Sequence, residues 1–194
     1  MVDAGRGSAK GGVVQWAAHA ASLGGISGLV GCCGRFSVAA NGTWFDEWPE
    51  EKYPLSNWDF VHELGITMHF VVTLDQKALL NGTAVLAIPD AVRTAVKYNF
   101  TGYAIDYETT PAGGWGSEAL AKETDGMLGF ATEFAAALTA AGKKLVVDMG
   151  GTTTTSLSTQ GCSCNQTAAC KYQSALLLRW AASGATLMEM GTCK

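Results

Sequence analysis

No run of eighteen uninterrupted apolar residues occurs in the chain, so no transmembrane helix is encoded in it. Charge is scarce too: charged residues make up 15% of the sequence, the net charge is −4, and there is no basic run. Nothing resembles a groove for a phosphate backbone, which excludes nucleic acid as an expected partner. Residues 1–8 lack the apolar core of a signal peptide. Asparagine is rare, with five in the chain, yet four of them (Asn41, Asn81, Asn99 and Asn165) open an N-x-[ST] acceptor. Chance would supply about one.

What is present fits one globular domain. The chain has 194 residues, 48% of them hydrophobic, enough for a single core and too few for two ordinary domains. Six cysteines form an even set, Cys32, Cys33, Cys162, Cys164, Cys170 and Cys193, three of them crowded into one Gly/Ser/Thr-rich loop. That crowding predicts a disulfide-pinned loop in an oxidising compartment. A zinc site is the poorer reading, because Cys162 and Cys164 have a one-residue spacer and no histidine lies near. The sequence therefore predicts a secreted or lumenal glycoprotein whose true start lies upstream of this chain.

Apolar strand-like runs alternate with helical patterns. Helices are expected at 13–21, 58–64, 88–98, 127–141 and 172–182; strands at 26–31, 66–74, 102–108, 144–149 and 186–190. Gly65 stands where a left-handed residue ends a helix, and Pro89 where a first turn tolerates proline. Returns from helix to strand are short and excursions from strand to helix are long. This pattern predicts an α/β fold, a parallel sheet covered by helices and working at the strands' C-terminal ends. A TIM barrel needs eight strands, so the five here read as strands two to six of a partial (β/α)8 barrel. The barrel domain spans 13–194, behind a flexible tail at 1–12.

The chemistry-bearing segment is Gly102-Tyr103-Ala104-Ile105-Asp106-Tyr107-Glu108. Alternation along a strand puts Asp106 and Glu108 on the face of Gly102 and Ala104, and turns Ile105 and Tyr107 toward helices. Two carboxylates on a buried face are costly unless water or substrate reaches them, and their repulsion raises one pKa. A salt-bridged pair at a strand end is the plain structural alternative.

Phe100 to Glu108 resembles the fourth-strand signature of family 18 glycoside hydrolases, D-G-x-D-x-D-x-E after an aromatic residue. The resemblance implies a TIM barrel acting on β-linked N-acetylglucosamine-containing glycans. It implies that Glu108 protonates the glycosidic oxygen while Asp106 orients the substrate's N-acetyl group, whose carbonyl oxygen is the nucleophile. Such retaining hydrolysis dispenses with a second enzyme carboxylate. Thr101 and Ala104 depart from the signature, replacing its first and middle aspartates. Those losses favour the alternative of a chitinase-like lectin without turnover, whereas Asp106 and Glu108 favour the enzyme.

Residues 187–192 resemble the sixth-strand segment of such barrels and make Met190 a pocket candidate. Asp148 ends the fifth strand as a further polar contact, and Asp148 and Glu189 are the reserves should a second carboxylate be needed. Trp44, Trp48 and Trp115 lie in loops on the expected working face, where flat rings suit stacking on sugars. Pinning a loop onto the core is the more ordinary task for such residues. His69, inside an apolar strand, is expected to be a hydrogen-bonded core histidine. Asp148-Met149-Gly150-Gly151-Thr152 also resembles the phosphate-binding turn of actin-like sugar kinases. That turn belongs on a first strand followed by a hairpin, whereas here it follows several helix–strand alternations. No cofactor and no metal are expected.

Overall fold

The computed structural model describes residues 28–47, 61–107, 113, 117–149 and 186–189. In chain order these give β1 (Gly28–Val38), β2 (Trp44–Asp46), β3 (Thr67–Leu74), α1 (Gln76–Asn81) and a 3₁₀ turn (Ala84–Ala87). There follow α2 (Ile88–Lys97), β4 (Gly102–Asp106), α3 (Glu118–Ala140), β5 (Lys144–Met149) and β6 (Thr186–Glu189). The expected helices at 13–21 and 172–182 lie outside the described residues.

One sheet runs in the order β2-β1-β3-β4-β5-β6. Every pair from β1 to β6 is parallel, and only the short β2 pairs antiparallel, along β1. From β1 through β3 to β6 the parallel strands follow chain order, with α1 and α2 between β3 and β4 and α3 between β4 and β5, the arrangement of a (β/α) barrel. Among the described residues the sheet keeps two edges, β2 and β6, so it is an arc of a barrel rather than a closed one. The partial-barrel expectation is borne out.

Strand composition explains the arrangement. β3 reads Thr-Met-His-Phe-Val-Val-Thr-Leu, buried at nearly every position on both faces, as a central parallel strand must be. One face carries Phe70, Val72, Tyr103, Ile105 and Leu145 against Ala91 and Ala95 of α2 and Phe130, Phe134 and Leu138 of α3. Tyr103 and Phe134 stack with ring centroids 5.6 Å apart. The Tyr103 hydroxyl donates to the Ala91 carbonyl at 2.9 Å, and burial holds its ionisation well above the usual range. The opposite face carries a second, smaller apolar group, Val71, Ala104 and Val146.

Three local expectations need correcting. β1 does not stop at residue 31 but continues to Val38, its register slipping between Gly31 and Phe36, so that Cys32, Cys33 and Gly34 belong to a bulged strand. α3 begins at Glu118, capped by Ser117 accepting from the Leu120 amide, about two turns before the expected start. Gly126 and Gly129 weakened the helical signal there. A Cβ at Gly126 would run into the Leu79 carbonyl of α1, so the glycine marks a close helix approach rather than a break. α1, the 3₁₀ turn and β2 are short elements that periodicity did not reveal.

Candidate active site

Ile105 and Tyr107 sit where strand alternation puts them. Ile105 lies in the helix-side core, and Tyr107, packed against it, donates from its hydroxyl to Glu123 Oε1 at 2.5 Å. Gln76 Nε2 donates to the other oxygen, Glu123 Oε2, at 3.1 Å. Glu123 is buried, so its carboxylate ties the end of β4 to α1 and α3 from the helix side. Gly102 and Ala104 belong to the other alternate set, and Asp106 is the next position of that set, at the C-terminal end of β4. Glu108, its expected partner in catalysis, lies outside the described residues.

Register fixes what stands level with Asp106. Asp148 of β5 is its paired residue, and Met188 of β6 pairs with Asp148. On the other flank the last β3–β4 pair is Val72 with Ile105, so Thr73 is one step on, beside Ser37 of β1. One alternation below stand Val71, Ala104 and Val146, buried and apolar; one lower, His69, Gly102 and Lys144. Asp148 is therefore brought to Asp106 by the fold. Glu189 pairs with Met149, one step out of that row.

The two departures from the signature have different physical standing. Thr101 precedes β4 and closes its lower end: its Oγ1 accepts from the Met68 amide at 2.8 Å. Its amide donates to the Met68 carbonyl, and its carbonyl accepts from the Lys144 amide, each at 2.9 Å. An aspartate would offer the same acceptor to Met68, far from the reacting end. Ala104 is different, because it lies fully buried between two valines, directly beneath Asp106. Gly102 keeps the signature's glycine for a steric reason: a Cβ there would fall on the Lys144 backbone.

His69 corrects an expectation. It is buried as foreseen, but its Nε2 has no hydrogen-bond partner. Desolvation, with the Lys144 charge adding to it, lowers its pKa to about 4, so it is neutral near pH 7. Trp44 is also placed clearly. Its ring stacks on Phe36 at 5.7 Å and meets Tyr103 edge-on at 5.6 Å, and its Nε1 donates to Thr94 Oγ1 at 3.0 Å. These contacts are with the helix-side core, the loop-pinning role. Trp48, Trp115, Met190, Asn165 and the Gly150-Gly151-Thr152 turn lie outside the described residues, as do Cys162, Cys164, Cys170 and Cys193. Asn41, Asn81 and Asn99 are exposed. Sequence reading missed Glu123 and Gln76; an acid among the buried α3 positions Leu120, Thr124 and Met127 was the available signal. Among the described residues no group of three or more His, Cys, Asp or Glu could hold a metal, and no helix is long and apolar enough to cross a membrane.

Solved structures share this architecture. A chitinase from Chromobacterium violaceum superposes with a TM-score of 0.51 at 17% identity, over 72% of this chain and 43% of that one. A class V chitinase from Pseudomonas fluorescens gives 0.51 at 16% identity, over 71% and 40%. A chitinase from Bacteroides thetaiotaomicron gives 0.50 at 18% identity, over 63% and 38%. The fold is a partial TIM barrel of the chitinase kind. The chain spans less than half the length of each of these three structures. No protein-family model and no curated protein sequence matches it. In this chitinase-type barrel, Asp106 ends a central strand flanked on both sides by parallel neighbours.

Proposed function

We propose that the chain is part of a secreted glycoside hydrolase that cleaves β-linked N-acetylglucosamine-containing glycans with retention. The observation that carries this is the position of Asp106, at the C-terminal end of a central strand in a chitinase-type sheet, with Ile105 and Tyr107 committed to the helix side. In this reading Glu108 is the general acid and Asp106 orients the acetamido group. The substrate's own carbonyl oxygen attacks the anomeric carbon, so no second enzyme nucleophile is required. The exposed acceptors Asn41, Asn81 and Asn99 suit a secretory route.

A chitinase-like lectin is the second reading, favoured by the buried, apolar Ala104 beneath Asp106. The two separate in one assay on the full-length protein, using matched oligomers of N-acetylglucosamine and of glucose. Hydrolysis confined to the N-acetyl substrate supports the enzyme. Equal hydrolysis of both overturns substrate assistance, and binding of the N-acetyl oligomer without turnover establishes the lectin.

A further inference from the structure

Two acceptor sequences far apart in the chain meet at one corner of the fold. The turn between β1 and β2 carries Asn41-Gly42-Thr43, and the end of α1 carries Asn81-Gly82-Thr83. The first turn is closed by the Ala39 amide donating to the Thr43 carbonyl at 2.9 Å and the Gly42 amide donating to the Ala39 carbonyl at 2.8 Å. The second acceptor reaches across to it, its Thr83 hydroxyl donating to the Ala40 carbonyl at 2.8 Å. Gly42 is buried in this contact at a φ of 82°, and a Cβ there would fall on the Thr83 carbonyl oxygen. The corner stands at the C-terminal ends of β1 and β3, where the Asp75 amide donates to the Val38 carbonyl at 3.0 Å.

Leu86 belongs to the same corner. Its amide donates to the Thr83 carbonyl at 3.0 Å, and its Cβ and Cδ1 lie 3.0 and 3.2 Å from where a Cβ on Gly42 would stand. Yet it is 63% exposed, more than Phe45 or Val96, the other exposed large apolar side chains described. A single exposed leucine is ordinary. One pressed against the residue that follows a glycan acceptor is placed to be covered by what the acceptor carries. Asn41 is exposed, and its Oδ1 accepts from the Thr43 amide at 3.0 Å. That bond orients the planar carboxamide and turns Nδ2, the atom that takes the sugar, to the opposite side.

We propose that the N-linked glycan on Asn41 lies over Leu86, its first N-acetylglucosamine covering this side chain as part of the folded surface; the inference rests on the secretory route proposed above. Attachment joins Asn41 Nδ2 to the anomeric carbon of the sugar, with a lipid-linked oligosaccharide as donor: one N–H proton is lost and the lipid pyrophosphate leaves. The sugar brings an apolar C–H face and an acetyl methyl group, whose burial against Leu86 is favourable. The glycan is thereby a stabilising part of the rim of the working face.

The test is a double-mutant cycle in urea unfolding, on the full-length protein secreted from a eukaryotic host and trimmed to one sugar at each site. Thr43→Ala removes the acceptor but keeps the amide that donates to Asn41 Oδ1, and Leu86→Ala removes the surface to be covered. The proposal expects Thr43→Ala to lower the unfolding midpoint, and expects that loss to be largely absent in the Leu86→Ala background. It also expects nuclear Overhauser contacts between the Leu86 methyls and protons of the first sugar. Equal losses in both backgrounds, with Asn41 occupied, overturn this inference and leave secretion standing. An unmodified Asn41 overturns it too, and the secretory reading falls with it if Asn81 and Asn165 are also unmodified. If Thr43→Ala does not fold, enzymatic removal of the glycans from folded wild type and Leu86→Ala gives the same comparison, and equal losses there likewise overturn it.

Discussion

The Tyr107 hydroxyl and the Glu123 carboxylate meet at 2.5 Å, joining the end of β4 to the first turns of α3. Tyr107 is the residue between Asp106 and Glu108. The bond therefore fixes, from the helix side, the strand end that the proposed chemistry uses. Glu123 is buried and also accepts from Gln76, so removing it leaves two donors to be satisfied elsewhere. Glu123→Ala should destabilise the protein by about 2–3 kcal/mol, and Tyr107→Phe by about 1–2 kcal/mol. Urea unfolding of the two variants checks both values, and a cost within error of zero for Glu123→Ala would refute the tie.

Thr101 separates a structural departure from a chemical one. Its hydroxyl oxygen accepts from the Met68 amide, so Thr101→Ala should cost about 1–2 kcal/mol by orphaning that donor. Thr101→Asp, which keeps an acceptor, should cost less. Neither should change turnover beyond its effect on the folded fraction. A selective gain in turnover with Thr101→Asp would mean that this position acts in the chemistry after all.

His69 gives the fold a pH dependence whose sign follows from burial. Its pKa falls from 6.5 to about 4 in the folded protein, so between those values the unfolded chain binds more protons. Its contribution to stability is full above about pH 6.5 and is lost as pH falls toward 4. The shift corresponds to an effect on the order of 3 kcal/mol, at ~1.4 kcal/mol per unit. His69→Met should flatten the stability profile between pH 6.5 and 4 relative to wild type, as read by thermal or urea unfolding. An unchanged slope would show that His69 is not the titrating group.

The compartment is testable by mass. Asn41 ends in an exposed turn where its Oδ1 accepts from the Thr43 amide, and Asn81 closes α1 in the open. Both should carry glycan when the protein is made through a eukaryotic secretory route, as should Asn165. Asn99 is the weakest acceptor: it holds a positive φ of 50° beside the start of β4, and its side-chain oxygen accepts from Lys143. Peptide mapping that finds Asn41, Asn81 and Asn165 all unmodified would argue against secretion.

Much of this was legible in the sequence because the informative runs are long or alternate strictly. β5 matched its expected bounds at Lys144–Met149, and Pro89 and Gly65 stood at the helix ends they predicted. The parity that sends Ile105 and Tyr107 to the helix side was readable from seven residues. Less was legible where local signals conflict with tertiary ones. Cys32, Cys33 and Gly34 fell beyond the expected strand because a bulged strand carries no clean alternation. The first turns of α3, before residue 127, were not foreseen, and only the folded chain reveals Leu79 pressing on Gly126 there. The level of Asp148 with Asp106 needs a register between strands, and no single-strand pattern contains one.

The most direct measurement is hydrolysis and binding of an N-acetylglucosamine oligomer by full-length wild type and Glu108→Gln. The carboxamide keeps the shape of the side chain and loses the transferable proton. The expected result is a fall in turnover of about 10²–10⁴-fold, with binding retained. Turnover by Glu108→Gln within a few fold of wild type would contradict the account, since the barrel would then be using a different acid.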